Sequence, residues 1–188
     1  MTRLGILLSG RGSNFRAIHG AIERGELPAE IAMVVSNVPE AAGVVYAREK
    51  GLPVFAETSK GVPRAEFDQR VLGVLREAGV EWVCLAGYMR LLSAEFIQSY
   101  AGRIVNIHPS LLPSFPGLDA QRQAFEHGVK VTGCTVHLVD EGLDTGPIVA
   151  QSAVPVLEGD TVESLSARIL EAEHQLYPAT IARLVRSR

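Results

Sequence analysis

Short apolar runs alternate along the chain with amphipathic stretches. Residues 4–8 are followed by 15–24, and residues 31–36 by 41–50, a rhythm that predicts βαβ units. Residues 54–56 read as a third strand. The stretch 63–78 carries Phe67, Val71 and Leu75 on one helical face, and residues 82–86 form the next strand. These strands are apolar throughout, so the expected sheet is parallel and covered on both sides.

Farther on, a helix capped by Ser93 precedes a strand over residues 104–108. Pro109, Pro113 and Pro116 then exclude helix and central strand, which predicts a rigid loop. A helix near residues 121–127 follows. The stretches 131–139 and 148–154 read as two strands joined by a polar turn over residues 140–147, and this pair is expected to run antiparallel. The last helix begins at Asp160 or Thr161, with Glu163 placed as in a capping box. It carries Leu165, Ile169, Ala172 and Leu176 at helical spacing.

No repeat or linker-like stretch interrupts this series. The predicted fold is one doubly wound, Rossmann-like α/β domain over residues 1–188. Its sheet is mostly parallel, with an antiparallel carboxy-terminal strand pair.

Composition narrows the function. The 188 residues suffice for a complete core, and 47% apolar with 21% charged residues is an ordinary globular balance. A net charge of -3 without basic runs argues against nucleic acid as a partner, so any phosphate site must be local. No apolar stretch approaches bilayer length, so no membrane association is expected. Cys84 and Cys134 lie in apolar surroundings without metal or redox spacing, as buried thiols in a reducing compartment would. No signal peptide is read at the amino terminus, and a cytoplasmic location is expected.

Three places can carry chemistry. The first strand ends in Ser9-Gly10-Arg11-Gly12-Ser13-Asn14 and runs into a helix, where free amides and the helix dipole favour an anion. The same glycines would also serve a tight βα turn. A dinucleotide fingerprint is absent, because Phe15 stands where a third glycine belongs and Val35-Ser36-Asn37 lacks the acidic residue.

Second, alternation points Asn106 and His108 to one side of their strand at its carboxyl end. A carboxamide and an imidazole facing one volume suit acyl transfer by direct attack. Asn106 would donate to an oxyanion, and His108 would move the amine proton. Asp144 would orient the imidazole if the turn brings it close. A polar pair that merely pins the proline loop is the alternative. Third, Glu173 lies near the buried stripe of the last helix, where a carboxylate requires a partner.

Taken together, these stretches resemble the folate-dependent glycinamide ribonucleotide formyltransferases of the purine pathway. The similarity runs from Leu4 to about Tyr177. Its carriers are residues 9–14, Leu85-Ala86-Gly87-Tyr88-Met89-Arg90, residues 106–113, Pro116-Gly117-Leu118, residues 140–147, and Glu173-His174 before Tyr177-Pro178. The resemblance implies that Asn106, His108 and Asp144 are catalytic. It further implies that Gly12, Ser13 and Asn14 hold a ribonucleotide phosphate and that Glu173 contacts the ribonucleotide.

By the same resemblance, Met89, Arg90, Leu91 and Leu92 line a folate pocket with Asp140 and Glu141, and Arg64 lies near the substrates. The implied donor is 10-formyltetrahydrofolate, with no metal, in a monomer or homodimer. Two positions depart from the usual pattern, Asp119 in place of histidine and Phe15 in place of leucine. Related enzymes that act on sugar amines, on methionyl-tRNA, or by hydrolysis of formyltetrahydrofolate share the asparagine, histidine and aspartate. A non-catalytic nucleotide or folate binding module is the reading from outside the enzymes.

Overall fold

The computed structural model describes residues 1–187. Strand β1 (Thr2–Leu8), helix α1 (Ser13–Glu23), β2 (Ala29–Ser36), α2 (Ala42–Glu49) and β3 (Val54–Ala56) build the first half. Helix α3 (Arg64–Glu77), β4 (Trp82–Leu85), α4 (Ala94–Ser99) and β5 (Ile104–His108) follow. The chain closes with α5 (Ala120–His127), β6 (Val131–Leu138), β7 (Ile148–Pro155) and α6 (Val162–Arg186).

The seven strands form one sheet in the order β3-β2-β1-β4-β5-β6-β7. Strands β1 to β5 are mutually parallel and β7 runs antiparallel to β6, as the apolar runs and the polar turn predicted, and β6 also pairs antiparallel with β5. The chain winds outward from β1 to β3 and then returns to β4 on the other side of β1. This reversal opens a crevice at the carboxyl ends of β1 and β4, where such sheets bind ligands.

Two apolar layers cover the sheet. Ile6, Val34, Cys84, Val105, Ile107 and Val136 pack under α1, α2 and α6, whereas Leu7, Val35, Val83, Leu85 and Ile104 pack under α3 and α4. Because strand side chains alternate, Asn106, His108 and the β6 residue His137 fall on the α3/α4 side. There the loops 109–119 and 139–147 supply the groups that touch them.

Helix α6 differs from expectation at its start. Its capping box joins Thr161 and Ser164, not Asp160 and Glu163. Asp160 is taken instead by Arg168, which reaches both carboxylate oxygens at 2.8 Å, and by the Leu157 amide at 2.7 Å. The helix also continues through Pro178 to Arg186. An interior proline costs about 3 kcal/mol. Burial of Tyr177, Ile181, Ala182 and Val185 against the sheet offsets that cost. The Tyr177 hydroxyl lies 2.8 Å from the Leu85 carbonyl and 2.9 Å from that of Val105, which fixes the helix over β4 and β5.

Candidate active site

At the end of β1 the chain turns through Gly12, whose φ of 71° is left-handed. A Cβ there would lie 3.0 Å from the Gly43 Cα of α2, so a side chain is excluded by space as well as by conformation. The first helical bond of α1 runs from the Arg16 amide to the Gly12 carbonyl at 2.9 Å, and no side chain caps the helix. The amides of the first turn, including those of Ser13 and Asn14, therefore remain available to an anion at the positive end of the dipole.

Glu173 reaches this turn from α6. It is buried, and burial pushes its carboxyl up to about 7, with hydrogen bonding to Asn14 acting in the opposite direction. The partner that a buried carboxylate requires is thus a residue of the turn itself. Beside them, burial and the neighbouring Arg11 charge hold His174 below its usual range.

On the other side of the sheet, the proline loop and the 139–147 turn converge on β5. Asp144 Oδ2 stands 3.5 Å from His108 Nδ1 and accepts the Gly117 amide at 2.8 Å. His108 Nε2 donates to the Phe115 carbonyl at 2.9 Å. His108 and Asp144 are both largely buried, with side chains 6% and 12% exposed, which keeps bulk water from screening their interaction. The loops hold this arrangement under strain. Phe115, Asp119 and Asp144 all adopt positive φ, each at about 1–2 kcal/mol for a residue with a side chain.

The proline loop is tied down from beneath. Thr135 Oγ1 donates to the Ser110 carbonyl at 2.7 Å and accepts the Leu112 amide at 3.0 Å, and Gln151 Nε2 donates to the Leu112 carbonyl at 2.9 Å. In the facing turn, Asp140 Oδ1 accepts from the Gly142 amide at 2.9 Å and the Thr145 hydroxyl at 2.8 Å. Asp140 shapes the turn that carries Asp144, and Glu141 extends into solvent.

Asn106 has a partner that the sequence reading did not single out. His137 lies directly opposite it in the β5–β6 ladder. The His137 Nδ1 proton goes to the Leu138 carbonyl at 3.0 Å, which leaves Nε2 to accept the Asn106 amide at 3.2 Å. Burial holds His137 below its usual range and so keeps it neutral in that role. One Asn106 amide proton is committed to His137, and the other is free. The available signal was the spacing of Thr135 and His137, which share a face of β6, but the register that pairs them with His108 and Asn106 was missing.

The third segment, residues 87–93, follows β4. Met89 and Leu91 are exposed, Leu92 packs against the α3/α4 layer, and the Arg90 guanidinium stacks 5.0 Å over the Phe67 ring. Arg64 is exposed and opens the same first turn of α3. A cavity of about 410 Å³ opens beside Arg90, lined also by Asn37, Thr58, Ser59 and Lys60. Leu118 and Leu143 likewise expose their side chains from the other two loops. Exposed apolar side chains among polar loops suit a flat, partly apolar ligand. Among the described residues, no group of three His, Cys, Asp or Glu is arranged to hold a metal ion, and no helix is long and apolar enough to cross a membrane.

The chain is similar to known proteins along nearly its whole length. Residues 2–181 match the family described as Formyl transferase. A phosphoribosylglycinamide formyltransferase of Bacillus subtilis is 46% identical over 186 residues, covering 98% of this chain and 95% of that protein. A solved glycinamide ribonucleotide transformylase from Symbiobacterium toebii superposes with a TM-score of 0.96 at 49% identity, covering 100% of this chain and 89% of that one.

A formyltetrahydrofolate deformylase structure from Pseudomonas syringae superposes at 0.93 with 27% identity, covering 100% of this chain and 62% of its own. The chain also matches a trifunctional purine biosynthetic protein of Drosophila pseudoobscura at 46% identity over 185 residues. That match takes in 97% of this chain but spans only 14% of the longer protein. With a family match over almost its full length and relatives near half identical, this chain belongs to the formyl transferase family.

Proposed function

We propose that this chain transfers the formyl group of 10-formyltetrahydrofolate to the amine of glycinamide ribonucleotide, and that residues 1–188 act as one formyltransferase domain. The observation that carries this reading is the meeting of His108 and Asp144 at 3.5 Å beside Asn106, between an anion-binding turn and exposed apolar loops. The names of the similar proteins from Bacillus and Symbiobacterium support the amine, and that of the Pseudomonas structure supports the folate.

In this mechanism the substrate amine attacks the formyl carbon, and a carbon–nitrogen bond forms as the carbonyl becomes a tetrahedral oxyanion. The free amide proton of Asn106 donates to that oxygen, a contact worth on the order of 10² to 10³ in rate. For this step His108 keeps its own proton on Nδ1 toward Asp144 and turns Nε2 from the Phe115 carbonyl to the substrates. There it takes up the proton that the attacking nitrogen loses and delivers it to the departing folate nitrogen, as the bond between that nitrogen and the formyl carbon breaks. Asp144 orients the imidazole and stabilises it while it carries the extra proton. No covalent link to the protein is needed.

Gly12, Ser13 and Asn14 bind the phosphate through the turn at the start of α1, and Glu173 contacts the ribonucleotide. Met89, Arg90, Leu91 and Leu92, with Asp140 and Glu141, line the folate side, and Arg64 stands close to it. The partners are these small molecules and not nucleic acid or membrane. The protein acts in the cytoplasm as a monomer or homodimer.

The test mixes purified protein with both substrates and follows the donor by absorbance, beside a control without the amine. Donor loss only when the amine is present is the expected outcome. Donor loss without it would replace the transferase with a hydrolase. No loss in either tube would overturn the proposal for this amine.

A further inference from the structure

At the crevice between β1 and β4, two loops with different proposed duties meet through one side chain. The segment 9–12 leads into the anion-binding turn, and the segment 87–93 carries Met89, Arg90 and Leu91. The Ser9 amide donates to the Gly87 carbonyl at 3.0 Å. The Ser9 hydroxyl accepts the Met89 amide at 2.8 Å and donates its own proton to Asn37 Oδ1 at 2.5 Å. Asn37 Nδ2 in turn donates to Ser59 Oγ at 3.3 Å. One line of hydrogen bonds therefore links the carboxyl ends of β3, β2, β1 and β4.

The polarity of this line matters. A hydroxyl has one proton, and Asn37 Oδ1 claims it, so the lone pair facing Met89 is held in a fixed direction. The other end of the 87–93 loop is held by Asp68, whose Oδ2 accepts the Ser93 amide at 2.7 Å. Between these two anchors, Met89 and Leu91 are exposed. Besides the packing of Arg90 and Leu92 against the α3/α4 layer, the loop is thus held at its two ends, and one of these holds is a side chain of the segment that opens the phosphate turn.

We infer that Ser9 is a positioning residue that couples the two substrate sites, aligning the folate loop with the phosphate turn. The inference rests on the proposed assignment of residues 12–14 to the ribonucleotide and 89–92 to the folate. A ligand that steadies one segment steadies the other through Ser9. Each substrate then tightens the other by the same factor, as linkage requires.

The test combines steady-state kinetics with calorimetric binding of tetrahydrofolate, which carries no formyl group to transfer. In Ser9→Ala the KM for 10-formyltetrahydrofolate rises about tenfold, the change that follows loss of one well-placed hydrogen bond. Its kcat stays within about twofold, because the groups that touch the reacting atoms are unchanged, while its KM for glycinamide ribonucleotide at saturating folate rises by the lost coupling factor, about fivefold. Ser9→Thr keeps the hydroxyl and restores the folate KM. Asn37→Ala leaves β1 intact and raises the same KM by about threefold, since it frees the proton that orients Ser9.

In the parent protein, saturating glycinamide ribonucleotide tightens tetrahydrofolate binding by about fivefold or more, and this factor falls toward one in Ser9→Ala. An unchanged folate KM in Ser9→Ala, or a coupling factor in that variant equal to the parent's, would overturn the coupling while leaving the proposed reaction standing. A parent protein that binds no tetrahydrofolate would overturn the assignment of the folate loop itself.

Discussion

His137 holds Asn106 in place: the two lie opposite each other across the β5–β6 ladder, and the Asn106 amide donates to His137 Nε2 at 3.2 Å. The ring can accept because its other nitrogen is committed to the Leu138 carbonyl. Without His137 the carboxamide is free to rotate and its donor loses aim. His137→Phe is expected to lower kcat about tenfold, the equivalent of one hydrogen bond of about 1.4 kcal/mol. Asn106→Ala removes the donor outright and should cost about 10² to 10³. Equal rates for His137→Phe and the parent would show that the ring does not orient Asn106.

His108 is the imidazole with a carboxylate neighbour, Asp144 at 3.5 Å. His108→Ala is expected to reduce kcat by about 10² to 10⁴. Unfolding should remain cooperative, because His108 lies at the end of β5 and the layers above and below the sheet are untouched. Near-normal turnover in this variant would end the proposed mechanism.

Glu173 makes stability depend on pH. Its carboxyl moves from an ordinary 4.5 to about 7 on folding, so between these values the folded chain keeps a proton that the unfolded chain has released. The folded state is therefore favoured most below about 4.5 and loses stability as pH rises through about 7. Glu173→Gln carries no such charge and should be more stable than the parent at pH 8, by up to about 3 kcal/mol. The difference should fade by pH 5. Urea unfolding at both values checks this, and a gap that does not change with pH would count against the buried carboxyl.

Tyr177 ties α6 to the sheet through two carbonyls in a fully buried place. Tyr177→Phe removes the hydroxyl and leaves those carbonyls short of a donor, at an expected cost of about 1–3 kcal/mol. Thermal unfolding should register the loss, with kcat little changed. A variant as stable as the parent would mean that apolar packing alone seats the helix.

Much of the fold was legible along the chain. The apolar runs at β1, β2 and β4 have no polar alternation because both faces are covered, and this same fact made them readable as parallel strands. The proline-rich stretch after β5 could be nothing but loop. Helix α6 was read less well. Local rules favour Asp160 with Glu163 as its capping box, but Arg168 competes for Asp160, and Thr161 pairs with Ser164 instead.

The site was legible in part, and the division has a physical origin. Sequence by itself determined the α/β class, the glycine turn before α1, and the presence of Asn106 and His108 on one side of one strand, because these follow from periodicity and backbone conformation over a few residues. Tertiary structure alone decided that Asp144 returns to within 3.5 Å of His108, that His137 meets Asn106, and that Ser9 reaches the Met89 amide. Those contacts join residues 31 to 80 positions apart. They depend on strand register and loop closure, which no local pattern encodes.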